Sequence, residues 1–358
     1  MKLVVTGAAG FLGQHIVLRA LMRGHSVVAV VRPGRELAGL PWADTPGVEV
    51  AHLDLSTGRI GDSLTEILVE RDVEDTVVIH AAGTLLGEDA KQSRETIEPT
   101  RKLLAAMRGS GCRRLILVSS LAVYGYAALP THAQLDETTP IEPDPAQRDA
   151  YCRAKLAQEA LAREAAQMHG LAVTVLRPGM IYGPERWWGA RLGIAMGQLS
   201  IVLGGHATLP LCYVGHCAMA AVLAAEHHPK NGDVHVEPNE VGRYGAFESI
   251  NIIDDVQPTQ CEYLASLRRH VRGVPTLTLR LPWGLLRRAA SLASLVAVTI
   301  APQRQWLPGL LRTASLHARC KPLRYSNCRL HDRIGWRPEL GWREIVAAAG
   351  KRNLNEGG

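Results

Sequence analysis

Tyr151 and Lys155 lie four residues apart at the head of a helical pattern, Ala150–His169, in a chain of 358 residues. That spacing puts both side chains on one helical face. A phenol titrates near 10, so a tyrosine is a poor base at neutral pH (about 10). A neighbouring ammonium stabilises the phenolate and lowers that value. The pair therefore suits proton exchange with an alcohol or a carbonyl oxygen. Ser119 and Ser120 close the apolar run Leu115–Val118, and a hydroxyl there can hold the substrate oxygen beside the tyrosine.

A second constellation sits at the start. Gly7-Ala8-Ala9-Gly10-Phe11-Leu12-Gly13 follows the apolar run Leu3–Thr6 and opens the helical pattern Phe11–Arg23. Glycines at this spacing allow a tight turn, let backbone approach a pyrophosphate and permit close helix–strand packing. The helix start then offers free N–H groups and the positive end of its dipole. The next strand runs out through Val31-Arg32-Pro33-Gly34-Arg35. A carboxylate at its end would bond the ribose 2′-hydroxyl of NAD, whereas Arg32 and Arg35 suit a 2′-phosphate. The expected cofactor is therefore NADP rather than NAD, and an oxidised nicotinamide would lower the Tyr151 value further. Asp54, after the third strand, can accept the adenine amino group, or can simply close a turn.

These residues need a frame. Leu3–Thr6, Ser26–Val31, Val48–Leu53, Thr76–Ile79, Leu115–Val118 and Ala172–Leu176 read as strands; Phe11–Arg23, Ile60–Arg71, Ser93–Arg108 and Ala150–His169 read as helices between them. Continuous β-branched runs separated by helices predict a doubly wound parallel sheet of the Rossmann type, an α/β fold. Residues 1–184 form this NAD(P)-binding part, with returning segments at about 213–236 and 248–256, including a helix around Cys217–Glu226 and a strand around Ser249–Ile253. Residues 185–212 and 257–325 are expected to form a smaller, mostly helical substrate-binding cap, and 326–358 a tail that packs back.

Charge divides the same way. The formal net charge is +6, yet Tyr263–His331, 69 residues long, holds 12 Lys+Arg and no Asp or Glu. The remainder carries 28 basic and 34 acidic residues, a net of −6. Such asymmetry points to an anionic partner or a set of solvated arginines. Within it, Ala289–Ala301 is an uncharged run of 13 residues, shorter than the roughly 20 that a membrane-spanning helix needs. The expectation is a cap helix with arginines at its ends. The functional alternative is a face for an anionic lipid surface, or for an apolar substrate carrying an acid, phosphate or CoA group. Seven cysteines without a C-x-x-C argue against a disulfide framework and suggest a reducing, cytoplasmic setting. Cys152 reads as a buried spectator thiol. His227, His228, His235 and Glu237 match no defensible zinc spacing, and no metal is expected. Neither a signal peptide nor nucleic-acid binding is expected.

With these motifs in place the chain resembles the extended short-chain dehydrogenase/reductase family, also called the NAD-dependent epimerase/dehydratase family. The resemblance rests on Thr6–Gly13, Asp54-Leu55, His80-Ala81-Ala82, Ser119–Gly125, Tyr151 with Lys155, Leu176–Pro184 and Ile334–Pro338. It implies Ser120 as the catalytic hydroxyl, Tyr151 as general acid/base, and Lys155 as the residue that binds the nicotinamide ribose and tunes Tyr151. It implies a cofactor site made of Gly7, Ala9, Gly10, Phe11, Leu12, Gly13, Asp54, Leu55, Ala81, Ala82 and Lys155, joined by Arg32 and Arg35. The backbone at Arg177, Pro178 and Gly179 would line the nicotinamide pocket. It also implies a homodimer through the fourth and fifth helices.

Departures from the family narrow the substrate. Leu121 and Ala122 stand where 4,6-dehydratases carry Asp-Glu, so no second acid/base pair serves water elimination. Met180 stands where nucleotide-sugar epimerases usually carry Asn near a diphosphate. The Arg177-Pro178 opening is closer to the 3β-hydroxysteroid dehydrogenase and dihydroflavonol reductase branch. Thr96 replaces a family Asn, and His216 replaces an Asp that caps a helix. The expectation is an NAD(P)-dependent oxidoreductase for a ketone/alcohol pair on a partly apolar, small-molecule substrate. An epimerase with retained NAD is the alternative, and a non-catalytic dinucleotide-binding protein is disfavoured by the intact Ser120, Tyr151 and Lys155.

Overall fold

The computed structural model describes residues 1–57, 61–69, 75–204, 206–227, 246–290 and 313–355. Seven strands form the main sheet: β1 (Lys2–Thr6), β2 (Ser26–Val31), β3 (Val48–His52), β4 (Thr76–His80), β5 (Arg114–Val118), β7 (Ala172–Pro178) and β12 (Phe247–Ile252). Their order is β12-β7-β5-β4-β1-β2-β3, and every neighbouring pair is parallel. The strands expected from sequence lie within two residues of these bounds.

Both faces of the sheet's centre are covered, which is why β1, β2, β4 and β5 are largely apolar without alternation, whereas edge strand β3 exposes Glu49 and His52. Leu3, Val5, Val27, Ala29, Val77 and Ile79 pack with helices α1 (Phe11–Met22) and α6 (Val214–Glu226). Val4, Val28, Val30 and Val78 face the other way, toward α2 (Gly61–Val69), α4 (Glu98–Ser110) and α5 (Ala150–His169). The helix expected at Ser93–Arg108 begins differently. After the single turn α3 (Asp89–Gln92), residues Ser93–Ile97 adopt a π-helix before α4 takes over. Nothing in the hydrophobic period marks that turn.

Beyond the main sheet, β10 (Leu199–Gly204) pairs with β9 (Ile194–Met196) and β13 (Leu277–Pro282), giving the cap region a small sheet beside its helices. Short β8 (Met180–Tyr182) pairs with β11 (Leu211–Tyr213), and β6 (Gln134–Leu135) with β14 (Arg324–Tyr325). A separate cluster of Tyr182, Leu192, Leu209, Tyr263, Leu267, Trp342 and Val346 joins these strands to α7 (Gln260–His270) and α10 (Trp342–Asn355). Residues 283–290 are helical after β13, and helices α8 (Thr313–Cys320) and α9 (Cys328–Ile334) precede α10. Most of Ala289–Ala301 and three residues of the His/Glu group, His228, His235 and Glu237, lie outside the described residues.

The glycine turn is built by close contact. Gly7 has φ of 72°, and a Cβ there would lie 2.8 Å from the Ala82 nitrogen. A Cβ on Gly13 would sit 2.0 Å from the Gly7 carbonyl oxygen. An alanine inside a helix usually stabilises by about 1 kcal/mol over glycine. Gly13→Ala is expected to do the reverse, lowering the melting temperature and abolishing dinucleotide binding by displacing the turn. A variant that melts at or above the parent would show that the contact is not what restricts this position.

Candidate active site

The Ser119 and Ser120 side chains part company at the end of β5. Ser119 Oγ donates to Glu159 Oε1 at 2.5 Å and is 2 % exposed. Ser120 caps the short 3-10 turn Leu121–Val123 by accepting from the Ala122 amide at 3.1 Å, and its hydroxyl bonds to Tyr151. Only Ser120 therefore shares an oxygen-binding position with the tyrosine.

Helix α5 presents Tyr151 and Lys155 as their spacing predicts. Asp149 caps it by accepting from the Cys152 amide at 3.0 Å, and Arg319 holds the same carboxylate at 3.0 Å. The Lys155 ammonium is 6.0 Å from the Tyr151 ring centroid. It donates to the Val118 carbonyl and to Gln158 Oε1, both at 2.9 Å. The electrostatics differ from the sequence expectation that the ammonium lowers the Tyr151 value. Burial wins: it pushes the phenol up to about 12, with the Ser120 hydrogen bond opposing it. Burial also pulls Lys155 down to about 8, against the raising effect of Glu159. Cys152 is buried, as expected, and burial pushes its thiol up to about 12.

Behind these groups lies a buried ion pair that the sequence reading missed. Arg177 grips Glu159 through Nε at 3.0 Å and Nη2 at 2.6 Å. Arg177 Nη1 also donates to the Tyr124 hydroxyl at 2.9 Å, and Tyr124 donates to Asn251 Oδ1 at 2.7 Å. Removing one partner of such a pair typically costs about 3–5 kcal/mol, because a buried charge is left bare. The signal was available: Glu159 is four residues beyond Lys155, on the same helical face. The Arg177 side chain points into this network, so only its backbone is placed to line a cofactor pocket.

The cofactor residues named from sequence gather along the carboxyl edge of the sheet, where open α/β sheets bind ligands. Gly10 starts α1 without any side-chain cap, leaving the N–H groups of the first turn for an anion. The Ala81 amide donates to the Thr6 carbonyl at 3.2 Å, and Ala82 abuts Gly7. Asp54 accepts from the Ser56 amide at 2.9 Å and hydroxyl at 2.7 Å, which holds its carboxyl below the usual range. It is thus a turn-closing residue whose bonds to Ser56 both fall on Oδ1. Leu55 is buried in the core beside it. Arg35 N donates to the Arg32 carbonyl at 3.1 Å, so both arginines share one turn. Arg32 is exposed and lies 3.7 Å from Glu95. The cradle at Gly7 and Gly13, which a side chain would fill, suits a dinucleotide.

The departures from the family have local solutions. Thr96, on the π turn, donates to Gln92 Oε1 at 3.1 Å and accepts from the Thr84 amide at 3.2 Å, pinning the loop after β4. His216 lies 2.9 Å from Asp254, and that carboxylate accepts from the Tyr213 amide at the start of α6. A carboxylate from the loop after β12 thus sits beside His216 at the start of the helix. Met180 packs against Gly189, where a Cβ would be 2.5 Å from its sulfur. Arg191, from the cap region, donates to Tyr126 at 2.6 Å, and Tyr126 donates to the Leu121 carbonyl at 2.9 Å, next to Ser120.

This fold and this side-chain set define an NAD(P)-dependent enzyme of the extended short-chain dehydrogenase/reductase type. The profile of the NAD dependent epimerase/dehydratase family matches residues 3–236, and the chain belongs to that family. Among curated proteins, it is 32% identical over 255 residues to a 3-diazoavenalumate denitrifying reductase from a Streptomyces species, covering 67% of this chain and 77% of that one. It is 35% identical over 133 residues to a UDP-glucose 4-epimerase of Klebsiella pneumoniae, covering 35% of this chain and 93% of that one. Among solved structures, UDP-glucose 4-epimerase from Thermotoga maritima with UDP-glucose superposes with a TM-score of 0.67 at 19% identity, covering 99% of each chain. The Brucella ovis UDP-glucose 4-epimerase in complex with NAD gives 0.67 at 18% identity, covering 99% of this chain and 98% of that one. No helix among the described residues is long and apolar enough to cross a membrane.

The Lys155 shift has a thermodynamic consequence. Its folded value, about 8, lies below its ordinary 10.5, so folding expels a proton between those pH values and stability rises with pH there. Lys155→Met lacks this contribution. The parent should therefore gain stability relative to the variant, by up to a few kcal/mol, as pH climbs through that window. Urea melts at stepped pH measure the difference, and a constant gap would contradict the burial of the ammonium.

Proposed function

We propose that the protein is an NADP(H)-dependent oxidoreductase that interconverts a ketone and a secondary alcohol on a partly apolar, anionic substrate. The observation that carries this reading is the hydrogen-bonded pair of Ser120 and Tyr151 at the carboxyl edge of the sheet, with Lys155 beside them. When bound, the nicotinamide supplies or accepts the hydride. Tyr151, a phenol at neutral pH, gives its proton to the carbonyl oxygen and takes it back in the reverse direction. Ser120 holds the same oxygen. Lys155 has one N–H beyond its bonds to Val118 and Gln158, and this one would meet the nicotinamide ribose. The Gly7–Gly13 turn would hold the pyrophosphate, Asp54 and Leu55 the adenine, and the backbone of Ala81, Ala82 and Arg177–Gly179 the nicotinamide side. For Arg32 and Arg35 to hold a 2′-phosphate, only an exposed ion pair at 3.7 Å must give way, which costs about 0–1 kcal/mol.

The apolar Met180 in place of an amide supports a reductase, as does the reductase among the relatives. The UDP-glucose 4-epimerase relatives support a second reading, an epimerase that retains NAD. Cofactor stoichiometry separates them, since a reductase consumes one cofactor per turnover. Tyr151→Phe is expected to abolish turnover while leaving dinucleotide affinity largely intact. Thermal shift should be larger with NADP than with NAD, because selective binding stabilises the native state. Unchanged turnover in Tyr151→Phe would remove the proposed acid, and tightly retained, non-exchanging NAD would favour the epimerase.

The outer faces of α4 and α5, with exposed Arg101, Arg108 and Met168, would be covered by a second copy in a homodimer. In the basic segment, exposed Leu277, Leu279 and Leu285 alternate with exposed Arg280, Arg287 and Arg288. This face would meet an anionic lipid surface or the charged group of a substrate. Sedimentation with anionic vesicles at low salt should remove the protein from the supernatant, and high salt should restore it. Equal recovery with and without anionic lipid would eliminate the membrane form of this reading.

A further inference from the structure

A continuous line of buried polar side chains runs from the glycine turn to the catalytic helix. Thr6, which ends β1, places Oγ1 2.7 Å from His80 Nδ1. His80 Nε2 lies 3.0 Å from Thr100 Oγ1. Gln158 Nε2 lies 2.6 Å from the same oxygen, and Gln158 Oε1 is 2.9 Å from Lys155 Nζ. Thr6, His80, Thr100 and Gln158 are all fully buried.

The direction of every bond follows from one end. Thr100 spends its only proton on the Thr96 carbonyl at 2.8 Å. Its oxygen can then only accept, from Gln158 Nε2 and from His80 Nε2–H. His80 is left with an unprotonated Nδ1, which accepts from Thr6. Burial and the nearby Lys155 charge hold His80 neutral, with its value near 3. Because its NH2 is committed to Thr100, Gln158 must present Oε1 to the lysine. A flipped amide would set donor against donor at Lys155.

We propose that Gln158 is a positioning residue, whose amide, locked by Thr100 and His80, fixes the Lys155 ammonium so that its remaining N–H faces the reaction site. This rests on the role given to Lys155 above. The titratable groups facing Lys155 are Tyr151 and Glu159 on its own helix and His80 on β4. The other elements packed on it contribute the neutral Val118 carbonyl of β5, Thr96 of the π turn and Gly83 of the loop after β4.

The test titrates the lysines of the full-length protein, labelled with 13C at the ε-carbon, by NMR without substrate. The chain has seven lysines, and Lys155→Met identifies the wanted signal. Gln158→Leu removes an acceptor of the ammonium and should shift the Lys155 midpoint down by about one unit. Gln158→Glu, nearly the same shape, sets a carboxylate there and should shift it up. Gln158→Leu should also weaken NADPH binding, followed by nucleotide fluorescence, by roughly tenfold. A Lys155 midpoint that stays at the parent value in both variants overturns the proposal. Should Gln158→Leu fail to fold, the titration of Gln158→Glu decides alone. The readout needs no turnover, so a failure of the reductase reading would leave the titration result standing.

Discussion

The site depends on a buried charge that cannot be left alone. Arg177 at the end of β7 and Glu159 in the middle of α5 meet at 2.6 Å in the interior, each nearly inaccessible to water. A guanidinium there must be matched by a carboxylate and by further acceptors. The pair therefore fixes the helix against the sheet edge, and Ser119, Tyr124 and Asn251 complete its bonds. Because Ser119 is spent inside, Ser120 is left facing Tyr151. The geometry of the Ser120–Tyr151 pair follows from how the charge beneath it is satisfied.

The basic segment looks different once its partners are known. Several of its cations act within the fold. Arg319 braces the cap of α5, and Lys321 donates to the Tyr126 and Ala127 carbonyls. Arg329 donates to the Ser249 carbonyl, and Arg268 donates to the Pro275 carbonyl. Those charges tie the late part of the chain to the start of α5, to the loop after β5, to β12 and to the small sheet. Among the described residues, exposed Arg280, Arg287 and Arg288 lie near exposed leucines on β13 and the residues after it. The acid-free composition is thus two things at once, an internal bracing set and an outward cationic face.

Much of the fold was legible in the sequence because its causes are local. Sheet strands buried on both faces must be apolar throughout, so their runs stand out, and α5 spans Ala150–His169 as its period predicts. The glycine turn and the Tyr151–Lys155 spacing are likewise short-range patterns. The small sheet of β9, β10 and β13 was not legible, because β13 joins β10 from 78 residues away and carries a mixed, exposed surface. Nor was the π turn at Ser93–Ile97, which leaves the residue types of an ordinary helix unchanged.

By itself, the sequence determined the Tyr151–Lys155 spacing, the glycine turn and the alternation of strands and helices, since all three depend on neighbours along the chain. Tertiary structure decided which serine faces the tyrosine, which way Gln158 points, and that burial outweighs the Ser120 hydrogen bond in setting the Tyr151 phenol. Those outcomes depend on which groups are withdrawn from water together. Desolvation and hydrogen-bond pairing are properties of the packed site, and residues such as Thr6, His80, Thr100 and Gln158, remote from one another along the chain, acquire them only when the fold closes.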